Sequence, residues 1–304
     1  MGSAMLKVFL EVVLPVALVA VVGGLVGRWR NVPVPPVSAL AFYLFSPALV
    51  FHSLATTSVS ADVSVKIVLV MLASYVAMYA ASTAWSLVMR HPAPMRAAFA
   101  LGATTPNVGN MGLPVALLAF GQPGLQVAVM NFVAGSLMAN SAGLVVASTA
   151  GGVNWGQIWR VPFRYPALYA ALAGIAVNVL KIHLPAAIDS PINSLQVAAV
   201  PVMLVVLGLQ LRDAGGRDHV VDTIAVNVGR LTIAPVIAWF AATALGLDGV
   251  TRATLVVLAA MPTAVIATIV ATEFKAEPTF VTRVVVTSTL LCMVTLSVLI
   301  SIVR

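Results

Sequence analysis

The chain has 304 residues, 61% of them hydrophobic and 8% charged, with a mean hydropathy of +1.06. A soluble domain carries roughly a quarter charged residues, so composition excludes a water-soluble enzyme or binding module and points to an integral membrane protein. The net charge of +7 is scattered one or two basic residues per loop, with no basic face and no interleaved aromatic stack, which excludes a nucleic-acid partner.

Apolar runs of about 20 residues, each enough to cross a bilayer once, recur along the whole length. They predict ten spans at roughly 5–26, 34–55, 65–88, 95–120, 124–148, 165–182, 191–210, 221–246, 252–272 and 280–302. The first run lacks a basic n-region and a cleavage site, so it reads as a retained span rather than a signal peptide. Glu11 in this span is one of very few acids within the apolar runs. It is divided between a functional acid and an interfacial one, because it lies in the first turns.

The second span ends at His52, read as an interfacial residue rather than a proton relay. The fourth contains Gly102-Ala-Thr-Thr-Pro-Asn-Val-Gly-Asn-Met-Gly-Leu-Pro114, with two prolines, three glycines, two asparagines and two threonines. Such a stretch breaks a helix at mid-depth. Lipid cannot satisfy the freed backbone, so the break must be buried in protein or line a watery cavity. In the fifth span Asn131 and Asn140 either glue helices together or face a cavity.

The longest gap, about 149–164, separates the fifth and sixth spans. In the eighth, three roles are open to Arg230. It snorkels to the inner headgroups, caps carbonyls freed by Pro235, or attracts an anion, and the first two together outweigh the third. Gln210, Arg212 and Asp213 read as a solvated helix end, as do Arg217, Asp218, His219 and Asp222. The ninth span carries Ala260-Met-Pro-Thr-Ala264, a second break. The single cysteine, Cys292 in the tenth span, rules out an intrachain disulfide or a cysteine metal cluster.

Lysines and arginines in the gaps orient the spans. Nine lie on one side (Arg28, Arg30, Arg90, Arg96, Arg160, Arg164, Arg212, Arg217 and Lys275) and five on the other (Lys7, Lys66, Lys181, Arg252 and Arg304). The richer side is expected to be cytoplasmic, which places both termini outside in a multi-pass protein of a prokaryotic inner membrane.

An internal echo accompanies this order. Pro15 with Gly23-Gly24 recurs as Pro166 with Gly174, Pro47 as Pro201, Trp85 as Trp239, and Thr105-Pro106-Asn107 as Met261-Pro262-Thr263. The offsets fall near 150–156 residues. Two five-span repeats, 1–150 and 151–304, then have opposite membrane orientations because five is odd. This predicts an all-α polytopic membrane protein, with ten transmembrane helices in two inverted five-helix repeats and crossed broken helices, the pattern of an inverted-repeat secondary transporter.

At the crossing, half-helix N-termini offer amides and partial positive charge to an anion. Pro106, Asn107, Asn110, Pro262 and Thr263 are the candidate binding residues there, with Arg230, His52 and Glu11 as accessories. No phosphate loop precedes a Lys-Ser/Thr pair, no aspartate pair suggests a protease, and no His or Glu spacing suggests a metal. The expectation is a non-enzyme without cofactor, running on a gradient or the membrane potential.

These residues resemble the auxin efflux carrier family, plant auxin exporters and shorter bacterial relatives, some of which carry dicarboxylates such as malonate and malate. The resemblance covers almost the whole chain. It rests on Ala41-Phe-Tyr-Leu-Phe-Ser-Pro47-Ala-Leu-Val-Phe-His52, Pro106-Asn107 with Met111-Gly112-Leu113-Pro114, Arg164-Tyr165-Pro166, Val228-Gly229-Arg230-Leu231 before Pro235, Met261-Pro262-Thr263, Ala271-Thr-Glu273-Phe274, Pro278 and Ser288-Thr-Leu290.

It implies a scaffold from spans 1, 2, 6 and 7, a moving domain from spans 3–5 and 8–10, elevator-type alternating access, and a homodimer. By position, Asn107 would meet the substrate carboxylate, and Asn131 stands where plant members place a glutamine facing the same cavity. Two departures are visible. The third span has no charge between Lys66 and Arg90, where plant members carry Asp and Lys, and Val265-Ile266 follow the ninth-span proline where many bacterial relatives have Asn.

The resulting expectation is a secondary transporter of small organic anions. The competing readings are a sodium-coupled symporter of bile-acid-carrier type and a membrane receptor that binds an anion without transporting it.

Overall fold

A computed structural model describes residues 2–151, 166–210 and 218–304. Most of the expected 149–164 loop, with Arg160 and Arg164, lies outside the described residues. So do Arg212, Asp213, Arg217 and the side chain of Asn140. The protein is all-helical, and among the described residues the one β-type pairing is an isolated antiparallel bridge between Pro106 and Thr263.

The helices are α1 (2–29), α2 (Val34–Ala55), α3 (Ala61–Val88), α4 (Ala93–Thr104), α5 (108–120), α6 (122–151), α7 (Pro166–Val179), α8 (Ala186–Gln210), α9 (Val220–Ala244), α10 (Gly249–Ala259), α11 (Ile266–Glu273) and α12 (Pro278–Val303). Among the described residues, seven helical stretches are long and apolar enough to cross a membrane; α7 and α10 are shorter apolar helices. Only Gly121, at φ +67°, separates α5 from α6, a left-handed conformation that glycine adopts without a Cβ penalty.

Among the described residues, four helices widen into a π-turn, at Phe9–Val13, Ala41–Phe45, Val108–Gly112 and Gly229–Ile233. Each turn ends two residues before a proline: Pro15, Pro47, Pro114 and Pro235. A proline inside an α-helix lacks the N–H and clashes with the carbonyl four residues back. Inserting one residue into the turn moves that carbonyl aside. The intervening amides then bond five residues back, as Leu14 does to Phe9, Ser46 to Ala41, Leu113 to Val108 and Ala234 to Gly229. The prolines therefore mark widened turns rather than helix ends.

Small residues set two close helix crossings. A Cβ on Gly208 of α8 would lie 1.7 Å from the Ala20 carbonyl of α1, and one on Gly174 of α7 would lie 2.6 Å from the Phe51 carbonyl of α2. One turn beyond Gly174, Asn178 donates to the carbonyls of Ala55 and Thr57 at 2.9 and 3.0 Å, closing the end of α2 onto α7.

Gly208→Ala is expected to push α1 from α8 and lower stability by about 1–3 kcal/mol. The Cβ of Gly135→Ala would meet only the Met71 thioether at 3.4 Å, so that change is expected to be tolerated. Thermal melts of the two purified variants check the pair.

Candidate functional site

The two breaks expected in the fourth and ninth spans lie against each other. Between α4 and α5 residues 105–107 leave helical geometry, and between α10 and α11 the chain unwinds over 260–265. The Asn107 amide donates to the Pro262 carbonyl at 2.7 Å, and the Ala264 amide donates to the Thr105 carbonyl at 2.8 Å. Groups that proline and glycine free in one helix are thus satisfied by the other. This answers, in protein, the cost that lipid would impose.

Two further bonds lock the crossing. The Thr263 hydroxyl donates to the Gly102 carbonyl at 2.7 Å, and the Thr263 amide donates to the Ser288 hydroxyl of α12 at 3.1 Å. Thr263 is fully buried, so its hydroxyl holds the crossing. Neither it nor Pro262 lies on the cavity wall.

Arg230 is buried beside the crossing. Its guanidinium donates to the carbonyls of Ala103 (3.0 Å), Ala259 (3.0 Å) and Met261 (3.3 Å). It therefore covers the C-terminal ends of both α4 and α10. The expectation of capping holds in kind, but the acceptors belong to the two breaks and not to the turn before Pro235. Snorkelling is overturned, because the guanidinium points into the protein.

The charges balance. Each half-helix C-terminus carries roughly −0.5 of an elementary charge, so two of them offset the single arginine. The opposite half-helix starts, at α5 and α11, leave about +1 uncompensated.

A cavity of about 630 Å³ opens on this side of the crossing. Its wall includes Pro106, Asn107, Gly109 and Asn110 at the start of α5, Val265 and Ile266 at the start of α11, and Arg230. Asn131 of α6 is buried and lines it too, so the cavity reading holds for that residue.

Asn107 has two roles. Its Oδ1 accepts from the Asn110 amide at 3.3 Å, capping α5, while its buried Nδ2 has no hydrogen-bond partner. Arg230 Nε and the hydroxyls of Ser38 and Ser46, on the same wall, are also unpartnered. The Asn110 side chain donates to Gln210 Oε1 at 3.3 Å. Gln210 is therefore part of the cavity wall, a correction to its reading as a solvated helix end; Tyr75 and Ser74 of α3 add polar groups to the same wall.

His52 and Glu11 stand apart. His52 lines a separate pocket of about 240 Å³ with His183 and Asp189. Glu11 is half-exposed and pairs with Lys7 at 3.9 Å, which favours its interfacial reading.

The sequence profile of the membrane transport protein family matches residues 8–155 and 153–300. The chain belongs to the auxin efflux carrier family of membrane transport proteins. It is similar to an uncharacterised transporter of Methanothermobacter thermautotrophicus, 33% identical over 191 residues, 62% of each chain. It is also similar to one of Methanocaldococcus jannaschii, 25% identical over 174 residues, 56% of each chain. The matched stretch spans less than two thirds of either relative. The protein is a multi-pass membrane protein, and the paired breaks interrupt two of its apolar helical runs.

Proposed function

We propose that the protein is a secondary transporter of small organic anions, and that the carboxylate binds at the crossing of the two breaks. The observation that carries this reading is the pair of unpartnered donors, Asn107 Nδ2 and Arg230 Nε, beside two half-helix starts whose partial positive charge is not offset. A carboxylate accepts such bonds without requiring a lysine in the apolar interior.

The rest of the wall is mainly apolar, with Phe42, Met71, Phe132, Met203, Val206, Leu255, Leu258 and Ile269. Among the described residues, Arg230 is the only basic one on it, and three carbonyls already engage that side chain. This favours a monocarboxylate with an apolar body over a dicarboxylate, whose second charge would find no cation.

The proposed transport cycle is elevator-type alternating access in two inverted five-helix repeats. A scaffold of α1, α2, α7 and α8, supported by their glycine-mediated contacts, would serve a mobile remainder carrying the crossing. A homodimer in an inner membrane with both termini outside completes the reading. Negative inside potential favours anion export by about 2.3 kcal/mol per charge per 100 mV, so export needs no coupling ion.

A thermal-shift screen tests the ligand class. Aryl or branched alkyl monocarboxylates are expected to raise Tm, and dicarboxylates of equal concentration to raise it less, with or without sodium. Stabilisation by dicarboxylates alone would overturn the choice, and stabilisation that requires sodium would favour a symporter.

A further inference from the structure

Away from the crossing, α9 carries a second buried polar group. Asp222, in its first turn, was expected on a solvated helix end, yet its side chain is only 7% exposed. Two other elements reach it. Trp85, near the end of α3, donates its indole N–H to Asp222 Oδ1 at 2.9 Å. His91 Nε2, in the α3–α4 linker, stands 3.2 Å from the same oxygen, and its ring is as buried as the carboxylate. His219, just before α9, places Nδ1 at 3.5 Å from Oδ2 and is half-exposed.

Phe99 of α4 lies against Trp85 and His91, and Phe280 of α12 lies against Phe99 and His219. Among the described residues, the two imidazoles are the only basic groups within ion-pair distance of Asp222. The remaining polar neighbour is Ser86 of α3, whose hydroxyl is 3.4 Å from His91 Nδ1.

This arrangement suits reversible proton binding. A buried carboxylate needs compensating charge; the start of α9 supplies part of it, and among the described residues the basic groups that face it are imidazoles, a group that exchanges its proton near neutral pH. His91 keeps both hydrogen bonds in either state. Its Nε2–H donates to Asp222 throughout. Its Nδ1 accepts from the Ser86 hydroxyl when neutral and donates to it when charged. Half-exposed His219 connects the same carboxylate to solvent.

We propose that His91, Asp222 and His219 form a proton-binding site that fastens the start of α9 to the α3–α4 linker when loaded. The same helix carries Arg230 two turns on, where it grips α4 through the Ala103 carbonyl. Proton occupancy at one end of the α4–α9 contact is thereby felt by the helix that caps the crossing. This goes beyond the anion-binding reading and stands without it.

The test needs no substrate. The chain has four histidines, so histidine-ring NMR of the full-length protein in nanodiscs gives four resonances. Loss of one signal each in His52→Gln, His183→Gln and His219→Gln assigns His91 by elimination. The expected result is a His91 resonance that shifts reversibly when the pH is stepped between 5 and 8. Asp222→Asn should alter that response while leaving those of His52 and His183 in place.

A His91 resonance unchanged across that range would overturn the proposal, as would one indifferent to Asp222→Asn in a variant whose His52 and His183 resonances are native. In proteoliposomes, His91→Gln should flatten the pH profile of carboxylate flux. Wild-type pH dependence in that variant would also count against the site.

Discussion

Replacing Arg230 with alanine is expected to cost the protein at least about 3 kcal/mol and to lower its Tm by roughly 10 °C. The side chain donates to three carbonyls at the ends of two half-helices. Each would be left buried without a partner, at about 1–3 kcal/mol apiece. The electrostatic balance is lost as well, since two helix C-termini would face each other without the intervening cation. Arg230→Lys should recover only part of the loss. An ammonium keeps the charge but lacks the planar fork that reaches carbonyls of both breaks. Thermal melts in detergent, read beside expression level, separate these outcomes; a wild-type Tm in Arg230→Ala would show that the caps contribute little.

Asn107→Ala is expected to weaken carboxylate transport by roughly tenfold to hundredfold while leaving the protein folded. Its Nδ2 has no partner to lose, and the cap to Asn110 is a 3.3 Å bond to a single amide, worth about 1 kcal/mol. The functional cost is larger. A hydrogen bond to a charged acceptor contributes about 1.5–3 kcal/mol, which corresponds to roughly a tenfold to hundredfold weaker interaction. Asn107→Asp separates the two roles, because it retains the capping oxygen while replacing the donor with a second acceptor and a negative charge. Flux measured in proteoliposomes, with circular dichroism of the same preparations, checks both variants.

The paired breaks were legible in the sequence because proline, glycine and asparagine at mid-span contradict an apolar helix so strongly that only a partner could satisfy them. Arg230 was legible as a buried charge near a proline, but its acceptors were not. Ala103, Ala259 and Met261 show no side-chain signal that their carbonyls accept from an arginine, and all three lie in other spans. The widened turns were half legible: their prolines stand out, while nothing local tells a π-turn from a kink.

Asp222 and Gln210 misled for a shared reason. Each sits at a helix end among charged neighbours, where hydration is the usual outcome, and its burial depends on partners far away in the chain. Trp85 and His91 are more than 130 residues from Asp222, and Asn110 is 100 residues from Gln210. Thr263 was expected to offer a hydroxyl to substrate, yet the Gly102 carbonyl takes it, a choice only the crossing geometry fixes. The polar contribution of the third span was also underread. Ser74-Tyr75 carries no charge at neutral pH, so its hydroxyls leave no mark on the charge pattern of that span.

The central claim, that the crossing of the two breaks binds a carboxylate, is tested most directly by determining the structure with a bromo-substituted aryl monocarboxylate bound. The account predicts the carboxylate within hydrogen-bond distance of Asn107 Nδ2 and close to the starts of α5 and α11, with the aryl body against Met71 and Phe132. A ligand seated instead in the pocket of His52, His183 and Asp189, or one in the large cavity with its carboxylate turned away from Asn107, would contradict it.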